Sequence, residues 1–256
     1  MAAAKILVNG ESGTGKTELL ASLDPSKTLV ISRDSKAFSL PMPHMLVEEF
    51  YGMDLFLYGG EVTVDGELVQ VEGVVNKMEA FEAKFGCYPE TIVFDTVSQI
   101  TMDVINIAMK TPNVYGSQGA EINKELGTFV DFLHEYLELN DINIILLSHV
   151  IKDKSDEATE YVGFGQGKFA AKGGWFSIVD ESITIAQEGG YLVAYTKGSL
   201  KQARSKLDVP AKMYIESTGE PIKSKKLKED EVYYTLGNHL DMVVEANSKV
   251  TKEFRL

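Results

Sequence analysis

The octapeptide Gly10-Glu11-Ser12-Gly13-Thr14-Gly15-Lys16-Thr17 constrains this chain more than any other stretch of its sequence. It satisfies G-x-x-x-x-G-K-[ST] and stands where that pattern has a mechanism. The apolar run Ala4 to Asn9 precedes it, and Leu19, Leu20 and Leu23 follow at helical spacing. The order is strand, loop, helix, with the helix expected over Lys16 to Leu23 and stopped at Asp24-Pro25. Glycines let the backbone curl so that successive N–H groups point inward, and a helix N-terminus adds partial positive charge. Such a loop cradles a phosphate chain. The expected ligands are ATP and Mg²⁺, with Lys16 reaching the β- and γ-phosphates and the Thr17 hydroxyl ligating the metal.

The remaining chain alternates buried-type strands with helices. Thr28 to Ser32, Thr91 to Asp95 and Ile142 to Ser148 are short runs apolar on both faces, as in a parallel sheet covered by helices. Helical spacing is seen over Val74 to Phe85, Ser98 to Lys110 and Ala120 to Leu139. Glu61 to Val71 alternates about Asp65-Gly66 and predicts a surface hairpin insertion spanning about residues 57–72. Ser182 to Ala186 and Tyr191 to Thr196 predict paired strands about Gly189-Gly190, and residues 150–175 read as a polar, glycine-rich loop. The expected fold is therefore α/β: a P-loop core with a mostly parallel central sheet, a β-hairpin insertion and C-terminal antiparallel strands. The core is expected over residues 1–205. Residues 206–256 form an extension of weak pattern, in which the basic run Lys223 to Lys228 meets acidic Glu229 to Glu231.

Asp95 closes an apolar strand, at the sheet edge where α/β folds bind ligands. It is the expected Mg²⁺ partner; the alternative is a cap for the helix that follows. Composition narrows the partners. With 25 basic against 38 acidic residues the net charge is −13, so nucleic-acid contact must be local rather than spread over the surface. A single cysteine, Cys87, fits a reducing compartment, and no stretch approaches the roughly 18 apolar residues of a membrane span. A cytoplasmic protein is expected, with no membrane partner.

The order of these parts resembles the RecA-type ATPase core, in particular the compact phage members that act in single-strand annealing and recombination, over roughly residues 4–205. The resemblance implies a water-polarising carboxylate after the second strand, where Asp34 stands in place of the more usual Glu. It implies a γ-phosphate sensor at the end of INIILLSHV, where Ser148 and His149 stand. It also implies two nucleic-acid loops. TPNVYGSQG offers Tyr115 and Gln118, and YVGFGQGKFAAKGGW offers Tyr161, Phe164, Lys168, Phe169, Lys172 and Trp175. Aromatics that stack on bases and lysines that track phosphates suit sequence-tolerant binding to single strands; the alternative is a surface loop whose aromatics pack locally. Finally, Lys201 and Arg204 resemble the basic pair that reaches a neighbouring subunit's site, unless they form a solvated basic turn. Taken together the resemblance implies a DNA-stimulated ATPase acting on single-stranded DNA in recombination, annealing or replication. It would work as a homo-oligomeric ring or filament in the cytoplasm of an infected bacterial host, with a separate single-strand-binding protein as a further candidate partner. A ring helicase or packaging motor, an ATP-gated regulator with little turnover and a small-molecule kinase are the competing readings.

Overall fold

In the computed structural model of the chain, residues 3–33, 39–110, 112–114, 116–154, 159–163, 174–198, 203–216 and 224–254 are described. The apolar run before the phosphate loop forms β1 (Lys5–Gly10), and the loop leads into a 3-10 turn, Glu18–Ser22. Next come β2 (Thr28–Ser32), β3 (His44–Leu46), α1 (Met53–Tyr58) and the hairpin β4 (Gly60–Val64) and β5 (Glu67–Val71). These are followed by α2 (Val74–Phe85), β6 (Thr91–Asp95), α3 (Val97–Ala108) and α4 (Ser117–Asp131), the last extended by a π turn and a 3-10 turn to Asn140. The chain then forms β7 (Asn143–Lys154), β8 (Thr159–Gly163), a 3-10 turn Gly174–Ser177, β9 (Glu181–Glu188), β10 (Tyr191–Tyr195), β11 (Lys212–Tyr214) and α5 (Leu236–Phe254).

Among the described residues nine strands form one sheet, in the order β11-β10-β9-β1-β7-β6-β2-β3, with β8 paired to β7 beyond that path. β9, β1, β7, β6, β2 and β3 run parallel. β10 and β11 close the edge antiparallel, and β4 and β5 stand apart as a two-stranded hairpin. This is the expected α/β architecture. The register sets the C-terminal ends of the central strands level: Gly10 pairs with His149, Asn9 with Ser148, and Asp95 with Leu147 and Ser32.

Each sheet face buries its own core. On one side Phe129, fully buried, meets Phe94 at 4.9 Å and Trp175 at 5.6 Å, both edge to face, between α1–α4 and the sheet. On the other, Leu19, Leu20 and Leu23 pack with Leu236, Leu240 and Val243 of α5. Helix α5 lies close enough to the turn after the phosphate loop that a Cβ on Gly237 would stand 2.3 Å from the Ser22 carbonyl, while the Gly237 N–H donates to Ser22 Oγ at 3.0 Å. Only glycine fits there. Further along, His239 Nε2 lies 3.5 Å from Glu181 Oε2, both side chains buried, and the Lys206 N–H donates to Glu181 Oε1 at 2.8 Å. Burial alone would raise the Glu181 carboxyl, but the nearby His239 and bonds from Ser205 and the Lys206 backbone outweigh it and hold the group below its ordinary range.

Several elements depart from the sequence expectation. The helix after the phosphate loop is a single 3-10 turn, because Leu23 is already extended (φ −88°, ψ 156°) ahead of Asp24-Pro25 and leaves no room for a second turn. Strand β7 does not stop at Ser148 but runs on to Lys154 and turns back as β8, so part of the expected loop is a hairpin. The three-residue strands β3 and β11 and the 19-residue α5 appear where no element was expected.

Candidate nucleotide-binding site

The phosphate loop leaves β1 at the level where β7 presents His149. Two of its glycines hold backbone conformations that side chains rarely adopt, Gly13 at φ 78° and Gly15 at φ 77°. Thr14 Oγ1 donates to the Glu11 carbonyl at 2.8 Å and steadies the turn. The Lys16 side chain folds back under the loop, only 5% exposed, and Nζ donates to the Gly10 and Glu11 carbonyls at 2.8 Å each. His149 Nδ1 lies 3.3 Å from the same nitrogen.

Asp95 is buried at the end of β6 and accepts from the Thr17 hydroxyl at 2.9 Å through Oδ2. Helix α3 takes its cap from the next residue, since Thr96 Oγ1 accepts from the Gln99 N–H at 3.2 Å. Capping therefore does not account for Asp95. His149 is fixed through its backbone: its N–H donates to Ser98 Oγ at 2.8 Å, and that hydroxyl lies 3.1 Å from Ser148 Oγ. The three parallel strands thus bring Lys16, Thr17, Asp95 and His149 to one place.

These side chains border a cleft of about 580 Å³. Arg33, Val47, Glu48 and Gln99 line it as well, and none of them was expected from sequence. Arg33 follows β2 directly and forms a two-pronged pair with Asp103, Nε to Oδ2 at 2.6 Å and Nη2 to Oδ1 at 3.2 Å, while Nη1 donates to the Val47 carbonyl. Asp103 stands one turn beyond Gln99 on α3, and Gln99 Nε2 reaches the same carboxylate at 3.3 Å. An arginine at the end of a buried strand was the available signal for this group. Val47 and Glu48 enter through β3, which has no legible pattern.

Other expected positions are not brought here. Asp34, Tyr115, Lys168, Phe169, Lys172 and Lys201 lie outside the described residues. Trp175 is a core residue, 3% exposed and packed on Phe129, so local packing holds for it rather than base stacking. Arg204 bridges to Ser182, which pairs with Leu7 three residues before Gly10, toward the other end of the sheet. Its guanidinium donates to the Val179 and Phe176 carbonyls and lies 4.6 Å from the Phe176 ring centre. Among the described residues no cluster of His, Cys, Asp and Glu could hold a metal by itself, and no helix is long and apolar enough to cross a membrane.

A loop of this geometry at the head of a parallel sheet, with a buried carboxylate on the strand beyond its neighbour, defines a P-loop nucleotide-binding core. The family model of the AAA domain matches residues 2–174, about two thirds of the chain, and the protein belongs to that family. No curated protein matches the chain. Membership supports ATP binding and hydrolysis, an activity that in such domains typically uses Mg²⁺.

Proposed function

We propose that the protein is a Mg²⁺-dependent ATPase that acts on single-stranded DNA, in phage-type recombination, annealing or replication. One observation carries the nucleotide half of the reading: Thr17 and Asp95 joined at 2.9 Å, beside a Lys16 ammonium held by loop carbonyls 3.3 Å from His149. Those donors fit the group. A hydroxyl and a buried carboxylate are hard oxygen ligands for Mg²⁺, and the positive-φ glycines of the loop suit a phosphate chain. Bound Mg²⁺ would neutralise charge on the terminal phosphates and polarise them toward attack. In this reading Thr17 holds the metal and Asp95 anchors it, directly or through water. Lys16 gives up its carbonyl partners for phosphate oxygens, and His149 reports on the terminal phosphate through its tie to Ser98. Asp34 supplies the carboxylate that orients water.

The DNA half rests on the resemblance of the chain's plan to RecA-type cores, with Tyr115 and the lysines and aromatic of Lys168, Phe169 and Lys172 as the contacts. Assembly belongs to the same reading. In a ring or filament Arg204 would exchange its own-chain carbonyls for a neighbour's phosphates. One experiment tests both halves: ATP hydrolysis is measured with and without single-stranded oligonucleotide. Strong stimulation is expected. Hydrolysis that ignores DNA favours a different substrate, and nucleotide binding without turnover makes the protein a regulator.

A further inference from the structure

The antiparallel edge of the sheet has two unlike faces. Leu192, Ala194, Met213 and Ile215 point to the side that α5 covers. Alternate residues point the other way: Tyr191, Val193 and Tyr195 on β10, with Tyr214 opposite Val193 and Lys212 opposite Tyr195 on β11. The apolar floor of this second face is Val150, Ala186 and Val193, with Tyr195 and Tyr214 packed on it, and among the described residues no helical residue takes part. The three tyrosines are half-buried.

Cations lie over the rings. Lys212 Nζ is 5.7 Å from the Tyr195 ring centre and 5.8 Å from that of Tyr214. Lys225 Nζ is 5.1 Å from Tyr191 and 5.9 Å from Tyr214, and the Tyr191 and Tyr214 rings meet edge to face at 6.1 Å. Glu188 also reaches the group, accepting from Lys212 Nζ at 2.6 Å and from the Tyr195 hydroxyl. In a chain of net charge −13, the segment from residue 201 to 228 carries eight basic and three acidic side chains, and two of its lysines, Lys212 and Lys225, stand at this face. A lysine on an edge strand guards against strand pairing. That role does not call for three tyrosines gathered around two ammonium groups.

We propose that this face binds single-stranded nucleic acid, with Tyr191, Tyr195 and Tyr214 stacking on bases and Lys212 and Lys225 pairing with phosphates. Flat rings beside cations match a polyanion that offers a π-face at every residue. An acidic protein or an anionic bilayer would use the lysines and leave the rings idle. The face also adjoins the nucleotide site on two sides. Tyr191 follows Gly189 and Gly190, which line a cleft with Glu11 to Thr14 of the phosphate loop, and Val150 in its floor is the residue after His149. The assignment rests on the reading of the chain as a single-strand-binding ATPase and places a contact outside the two loops that reading named.

The test is fluorescence anisotropy of a labelled 20-residue oligo-dT, and of an abasic strand of the same length, with the full chain. Stacking is worth about tenfold per ring, so Tyr191→Ala with Tyr214→Ala should weaken oligo-dT binding by roughly tenfold to a hundredfold. Tyr191→Phe with Tyr214→Phe should retain it, and the abasic strand should bind the unaltered protein correspondingly weakly. Lys212→Glu with Lys225→Glu should flatten the salt dependence of binding. Nucleotide affinity, measured on every variant, should stay as in the unaltered protein, and every variant should still unfold in one cooperative thermal transition. Equal oligo-dT binding by the alanine pair overturns this face and leaves the single-strand reading standing. Equal binding of abasic and dT strands also overturns it, because charge alone is then at work. If the unaltered protein binds neither DNA nor RNA strands, the functional reading falls and the face falls with it.

Discussion

Replacing Glu181 by Gln tests how the C-terminal helix is held to the sheet. The carboxylate accepts from the Lys206 N–H at 2.8 Å and faces His239 Nε2 at 3.5 Å, with both side chains buried. Glutamine keeps an acceptor for Lys206 and removes the charge. The charge-assisted bond from the Lys206 N–H becomes a neutral one and the attraction toward His239 is lost, together about 2 kcal/mol. At roughly 2–4 °C per kcal/mol for a chain of this size, the unfolding temperature should fall by about 4–8 °C. The pH dependence has a definite sign. The Glu181 carboxyl is held below its ordinary value in the folded state, so its contribution is present above the unfolded value, about 4.3, and is lost as pH falls through the folded one. Urea unfolding of both proteins from pH 7 to pH 3.5 should show a constant gap down to about pH 5 that narrows below about pH 4. A gap that stays the same across the range, or no gap at pH 7, refutes the reasoning.

Three further substitutions probe the nucleotide site and its surroundings. Lys16→Ala should abolish nucleotide binding, read by calorimetric titration, while the circular dichroism spectrum stays unchanged; ATPase rates like those of the unaltered protein would remove Lys16 from the site. Asp95→Asn should lower Mg²⁺-dependent hydrolysis by orders of magnitude, and an unaltered Mg²⁺ titration would reassign the carboxylate to structure. Arg204→Ala loses hydrogen bonds to the Val179 and Phe176 carbonyls and should unfold a few degrees earlier. Mixed with Lys16→Ala, it should recover partial activity if Arg204 acts in a neighbour's site; an inactive mixture of co-assembled subunits confines Arg204 to its strapping role.

The central strands were legible because each is apolar on both faces and ends in a polar residue, so Asp95 marked its own position, while Ser148 and His149 were singled out by the resemblance to RecA-type cores. The hairpin and α2 were legible from Asp65-Gly66 and from the spacing of Val74, Met78 and Phe81. What escaped has physical reasons. Strands β3 and β11 have three residues each, too few for any period to show, and the cleft residues Val47 and Glu48 were lost with β3. Helix α5 does carry apolar residues at 236, 240 and 243, but Gly237, Asn238 and Ser248 are poor helix formers, and its stability comes from packing against Leu19, Leu20 and Leu23. Residues 152–160 read as a loop because they alternate charges rather than apolar side chains, yet ladder hydrogen bonds between β7 and β8 require no apolar residue.

Strand β7 has a mechanical consequence. It runs unbroken from Asn143 to Lys154, with its first half clamped between β1 and β6 and its far end beyond both, paired with β8. Lys154, where β8 turns back, lies five residue steps beyond His149 at Lys16, a span of about 17 Å. A rotation of about 5° at His149 then displaces the far end by roughly 1.5 Å, the gain of a short lever pivoting on the Ser98 hydroxyl. Were His149 to turn with a change at Lys16, the hairpin would carry that turn outward.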